Sequence, residues 1–185
     1  MDLDRAIHSR KSVRKFGSKK PDWRDVIECI DAARYAPMAG SNYTLKFILV
    51  SDKEKISMMA DCCQQDFIAR AHYVVVACSN PSRTVNAFGK KGENYARQQA
   101  GAAIQNFLLK AEELGLATCW VGHFAEDQIK HSLKVPEKAN IEAVFPIGYE
   151  YHKKRTKTEP IEIDRILRFE KYTQKKMKEP KKLDV

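Results

Sequence analysis

Arg10-Lys11-Ser12-Val13-Arg14-Lys15-Phe16 gathers four cations and one hydroxyl into seven residues. A guanidinium fork can hold two anionic oxygens at once, and a hydroxyl adds a further donor, so this stretch has the chemistry of a phosphate or related anion site. Twenty positions after Phe16 the chain reads Ala36-Pro37-Met38-Ala39-Gly40-Ser41-Asn42. The proline stops a helix, because the residue before it is pushed out of the α region. The small residues that follow let backbone approach a flat ring closely. A second basic cluster, Lys153-Lys154-Arg155 with Lys157, lies at the other end of the chain. If the fold joins the two clusters, they make one anion site.

Those groups need elements to hold them. Leu3, Ala6 and Ile7 form a short helical face that Asp2 can open as an N-cap. Pro21-Asp22 starts a second helix, with Trp23, Val26, Ile27, Ile30 and Ala33 on one face. Phe47-Ile48-Leu49-Val50 reads as a strand, and Ser51-Asp52-Lys53-Glu54 as the capping box of a helix through Ile56, Met59 and Ala60. The unbroken apolar run Tyr73–Cys78 predicts a strand buried on both faces. A polar loop is expected from Asn80 to Gly92. The longest helix should run from about Tyr95 to Leu114, burying Ala100, Ala103, Ile104, Phe107, Leu108 and Ala111, with Gly115 as its stop. Ala117–Val121 and Ile141–Ile147 complete four strands, with a helix over Glu126–Leu133 between them. Pro146 points to an edge position or a strand end, and Pro160–Ile163 to a short extended segment. The fold class is α+β: a central, mixed sheet of four or five strands flanked by helices.

Several pieces, taken in order, carry a resemblance. The basic heptad and the Pro37–Asn42 loop are followed by Gly101-Ala102-Ala103-Ile104-Gln105-Asn106-Phe107-Leu108-Leu109 and by Gly115-Leu116-Ala117-Thr118-Cys119-Trp120-Val121-Gly122-His123-Phe124. Val135-Pro136-Glu137 and Pro146-Ile147-Gly148-Tyr149 come after. From Arg10 to about Arg155 the chain resembles the nitroreductase family, whose members hold FMN at the interface of an intertwined homodimer. Carried over, the resemblance has Arg10, Lys11, Ser12 and Arg14 bind FMN from one protomer. Pro37, Met38, Ala39, Gly40, Ser41 and Asn42 would meet the same flavin from the other. Gly122 and His123 would line it near N5, His123 as pocket wall through its backbone. Lys153 and Arg155 would close over the phosphate, while Arg14 would face the N1–O2 edge, where reduction places negative charge.

Two stretches depart from the family pattern. Ser41-Asn42-Tyr43-Thr44-Leu45 stands where the family commonly has asparagine, glutamine, proline and tryptophan, leaving open whether Ser41 or Asn42 makes the flavin contact. Gln98-Gln99 replaces an aspartate common near the start of the central helix. The implied activity is hydride transfer from NAD(P)H through FMN to a small, flat, electron-poor acceptor, a nitroaromatic or a quinone, by a ping-pong cycle. The rival reading is a flavin-binding sensor or carrier without significant NAD(P)H turnover.

Composition narrows the field further. The 185 residues suffice for one real core, and 43% hydrophobic content excludes a disordered chain. Residues 1–170 read as the flavin-binding domain and 171–185 as a basic tail, with six lysines against Glu179 and Asp184. The formal charge of +9 raises nucleic acid as a partner, but no RNA-recognition signature and no basic helix with interleaved aromatics accompanies it. No apolar run approaches the roughly 20 residues of a membrane span, and Met1–Arg5 lacks a secretory layout, so a cytoplasmic location is expected. Cys29, Cys62, Cys63, Cys78 and Cys119 form neither a disulfide framework nor a metal spacing, and no metal is expected. There is no Gly-x-Gly-x-x-Gly, hence no Rossmann site for a nicotinamide nucleotide.

Overall fold

Asp2, Asp22 and Asp52 each accept a backbone N–H of the first helical turn, from Arg5, Arg24 and Lys55 respectively, and so open α1 (Leu3–Ser9), α2 (Trp23–Ala33) and α3 (Lys53–Cys63). The third cap is one residue later than the sequence suggested. The computed structural model describes residues 2–152 and 160–177. Its two compact units are residues 1–154 and 155–185.

The first unit holds four strands: β1 (Leu45–Val50), β2 (Tyr73–Ser79), β3 (Ala117–Thr118) and β4 (Asn140–Gly148), in the order β1-β2-β4-β3. All three pairings are antiparallel, where a mixed sheet was expected. The reason lies in the β1–β2 connection. Val50 pairs with Val74, so the chain leaves and re-enters the sheet at the same end, turned back by α3 and the 3-10 turn Asp66–Arg70.

β2 is buried along its whole length, as its apolar run predicts. Val75 and Ala77 point to one face, against α2 and α5 (Lys91–Glu113), with Val26, Cys29, Ala103, Ile104 and Phe107. Val74 and Val76 point to the other, against α3 and α6 (Glu126–Leu133), with Ile56, Met59 and Ile129. Strand alternation therefore builds two cores from one segment. The α5 stripe is buried as read from the sequence. On α2, however, Trp23 and Ile27 are 47% and 45% exposed while Val26, Cys29 and Ala33 are sealed. The buried stripe of α2 is narrower than its apolar periodicity.

Other elements differ from expectation. Ser82–Phe88 is a helix, α4, instead of a polar loop. It forms because Gly92 lets it lie directly on α5: a Cβ at Gly92 would come within 2.3 Å of the Thr84 backbone. β3 has two residues, and only an isolated bridge between Val121 and Val144 continues it. Pro146 sits in β4, a central strand rather than an edge one. Val144 exchanges both backbone hydrogen bonds with Val121, so Pro146, two residues on, faces the same neighbour where β3 is interrupted at Cys119-Trp120. The missing N–H therefore has no ladder partner to lose.

In the second unit residues 160–162 are outside any helix or strand, and Ile163–Ile166 make one helical turn, α7, which takes in only the last residue of the expected extended segment. All five cysteines are free and buried. Burial pushes the Cys29 and Cys63 thiols up to about 12 and Cys78 to about 11, which keeps them protonated and inert at neutral pH. Among the described residues no helix is long and apolar enough to cross a membrane, and no cluster suits a metal ion.

Candidate functional site

The basic heptad leaves α1 as extended chain and is laced to the sheet through its backbone. Val13 N–H donates to Thr118 O on β3 at 2.9 Å, Gly17 N–H to Tyr149 O at 2.8 Å, and Tyr151 N–H to Lys15 O at 3.0 Å. Buried Val13 and Phe16 seat the inward side on Ala71 and Ala117. The alternating residues Ser12 and Arg14 are exposed, and Arg10 is half-buried. With Val13 and Phe16 anchored inward, Ser12, Arg14 and Lys15 are left facing solvent. Lys11 is held by Glu150 at 2.8 Å, with both side chains largely covered. Among the described residues none forms an ion pair or side-chain hydrogen bond with the Arg10 or Arg14 guanidinium. The one buried side-chain oxygen left without a partner among them, Thr118 Oγ1, belongs to the residue that anchors Val13.

Gly122 and His123 follow the Val121 bridge along the same sheet edge, and both are exposed. Trp120, beside them, is 42% exposed and rests edge-on against Phe145 with ring centroids 5.9 Å apart. Among the described residues no hydrogen-bond partner orients the His123 ring.

The Pro37–Asn42 loop has a different support. Gly40 and Ser41 are both left-handed, with φ of 56° and 57°. Glycine suits the left-handed turn at position 40, and a Cβ there would lie 2.8 Å from Phe88 Cζ on α4, so that ring would have to shift. Asn42 Nδ2 donates to Gly40 O at 3.2 Å and closes the turn. Pro37, Met38, Gly40 and Ser41 face outward. Beside the loop lies an open cleft of about 530 Å³ lined by Arg34, Tyr35, Met38 and Tyr43. Burial raises the Tyr43 phenol, so it remains a neutral donor.

Within one chain these two groups do not meet. The loop leads into Leu45, which pairs with Ser79 at one end of the β1 edge. The heptad lies by Thr118, Tyr149 and Glu150, at the opposite end and on the β3 edge. The offset is roughly 14 Å across three strand spacings and roughly 20 Å along the six-residue step from Tyr73 to Ser79. The heptad and the Thr118–His123 stretch are brought to one edge. Lys153 and Arg155 lie outside the described residues.

The sequence reading gave no role to two residues here. Gln99, on α5, is buried and bonded to the chain just after the loop. It could have been found as a lone polar residue inside the apolar stripe. Glu150, the partner of Lys11, left no sequence signal, because the two are 139 positions apart.

Known proteins are similar to this chain over most of its length. A profile of the nitroreductase family matches residues 7–63 and 55–149. An Archaeoglobus fulgidus protein with the provisional name NADH dehydrogenase/NAD(P)H nitroreductase is 26% identical over 148 residues, covering 77% of this chain and 82% of its own. The crystal structure of a nitroreductase family protein from Clostridium novyi NT superimposes with a TM-score of 0.75 at 26% identity, over 94% of this chain and 96% of that one. The NADPH:FMN oxidoreductase of Vibrio harveyi, solved with NAD+, gives 0.81 at 19% identity, over 93% and 78%. With most of its length matched by the family profile, and its fold shared with these proteins, the chain belongs to the nitroreductase family.

Proposed function

We propose that two copies of this chain hold FMN between them and use it as an oxidoreductase, taking hydride from NAD(P)H and delivering it to a small, flat, electron-poor acceptor. The observation that carries the reading is the diagonal placement of two ligand-ready groups. A row of exposed Ser12 and Arg14 with half-buried Arg10 sits at one corner of the sheet, and an outward-facing glycine loop at the other. One small ligand cannot reach both in a single chain, whereas a two-fold partner brings the loop of one copy to the row of the other.

The residues fit such a group. Arg10 and Arg14 carry no ion pair among the described residues, and Ser12 is exposed, which suits a phosphate and an electron-rich ring edge. Gly40 leaves loop backbone uncovered, as close approach to a flat ring requires. Bound FMN would supply a two-electron carrier that accepts hydride from one substrate and donates it to the next. The chain's own part is to bind and orient. Arg10 and Ser12 would hold the phosphate, and the family resemblance adds Lys153 and Arg155, which lie outside the described residues. Arg14 offers positive charge to the N1–O2 edge, and Gly122 and His123 wall the ring near N5. Lys11 contributes through Glu150, which fixes the segment in place. The Vibrio harveyi protein, by its name and its bound NAD+, supports the choice of FMN and of a nicotinamide donor.

The first test is stoichiometry. Purified protein should run as a dimer in sedimentation and release about one non-covalent FMN per chain on heating. A monomer that still retains FMN tightly contradicts the two-copy site, and apo-protein that keeps none after soaking and desalting removes the flavin. The second test is turnover. NAD(P)H oxidation should accelerate with a quinone or a nitroaromatic. Double-reciprocal plots should be parallel, since both substrates need the space over one ring face. Bound FMN that neither nicotinamide reduces would instead favour a binding protein without turnover.

A further inference from the structure

The Pro37–Asn42 loop is held from behind by a buried amide. Gln99 is 4% exposed on α5. Its Oε1 accepts from Thr44 N–H at 2.8 Å and from Thr44 Oγ1–H at 2.5 Å. Its Nε2 faces Asn42 O at 3.5 Å. One side chain therefore touches three atoms of the stretch that joins the loop to β1. Thr44 O in turn accepts from Asn80 N–H at the end of β2, at 2.8 Å, so the clamp is tied into the sheet. On the other side Phe88 packs against Gly40. Between these supports the loop carries two successive left-handed residues, an arrangement that persists only where surroundings over-determine it.

We propose that Gln99 is the positioning residue of this loop, fixing the backbone from Asn42 to Thr44 so that Pro37–Ser41 are presented outward in one conformation to the flavin. The proposal rests on the reading that this loop meets FMN, and it goes beyond that reading by assigning the loop's geometry to a residue that does not touch the ligand. The amide suits the task because Thr44 offers two donors to one oxygen and Asn42 offers an acceptor. A carboxylate could serve only the first two, and an apolar residue none.

The test compares Gln99→Leu, Gln99→Glu, Thr44→Val and, as a surface control, Gln98→Ala, each in the full-length chain. Amide hydrogen exchange across residues 37–45 is read without flavin. FMN affinity and the visible circular dichroism of bound FMN are read separately. Gln99→Leu should speed Thr44 exchange by about tenfold or more, the scale of one lost buried hydrogen bond. It should weaken FMN by a similar factor and alter the bound-flavin spectrum. Gln99→Glu should restore Thr44 protection, Thr44→Val should shift all readouts in the same direction but less, and Gln98→Ala should match wild type. If Gln99→Leu does not fold, Thr44→Val against Gln99→Glu decides. Wild-type exchange at Thr44 together with wild-type FMN affinity in Gln99→Leu overturns the proposal. If the wild-type chain binds no FMN, the flavin reading falls and the exchange data alone decide the positioning role.

Discussion

Arg10→Ala should weaken FMN binding by about 1.5–3 kcal/mol, the range for a hydrogen bond to a charged group, which is on the order of tenfold to a hundredfold in Kd. The structure sharpens why Arg10, and not the heptad as a whole, should show this loss. Lys11 is engaged with Glu150, and Arg10 has no competing carboxylate among the described residues. Lys19 is the matched control: its ammonium lies over the Tyr149 ring, 5.1 Å from the centroid, and is not directed to the proposed ligand. Lys19→Ala should leave FMN affinity within about twofold, since an exposed cation–π contact is worth about 0.5–1 kcal/mol to the fold rather than to the ligand. Flavin fluorescence titration of the two variants checks the difference. Equal losses would mean that the heptad acts as a diffuse basic face.

Gly92→Ala should be the most damaging single methyl in the first unit. The added Cβ would meet Thr84 C and O at 2.3 Å and Val85 N at 2.4 Å, all backbone atoms that no rotamer change can move aside. α4 would have to lift from α5, a packing strain of about 3 kcal/mol or more. For a domain of this size that lowers Tm by roughly 6–12 °C. The damage should also reach the loop, because Phe88 of α4 contacts Gly40 and packs edge-on against Tyr95, with centroids 5.3 Å apart. Thermal unfolding followed by circular dichroism should show the drop, and FMN retention should fall with it. A wild-type Tm would mean that α4 does not lie on α5 as described.

Much of this protein is legible from its sequence because the signals are local. Asp2 and Asp22 announce helix starts, and the Ser51–Glu54 box places the third to within one residue of its Asp52 cap, since a cap and the N–H it satisfies are two or three residues apart. The β2 run and the α5 stripe announce burial, because side-chain direction follows strand and helix periods. The ordered motifs from Arg10 to Tyr149 were enough to point to the family.

Tertiary structure decided the rest, where the deciding contact is remote in sequence. Gly92 reads as a loop glycine, and only the Thr84 backbone above it shows that it is a helix-packing position. Trp23 and Ile27 have the period of a core face, yet α5 and the sheet cover only the narrower stripe of Val26, Cys29 and Ala33. Pro146 is admitted to a central strand because β3 happens to break opposite it. Lys11 is paired by Glu150, and Thr44 is held by Gln99 from 55 positions away. Residue types alone name the groups that can bind an anion or a flat ring. Where those groups point, and that they stand at opposite corners of one sheet, depends on strand order and register, which no local pattern encodes.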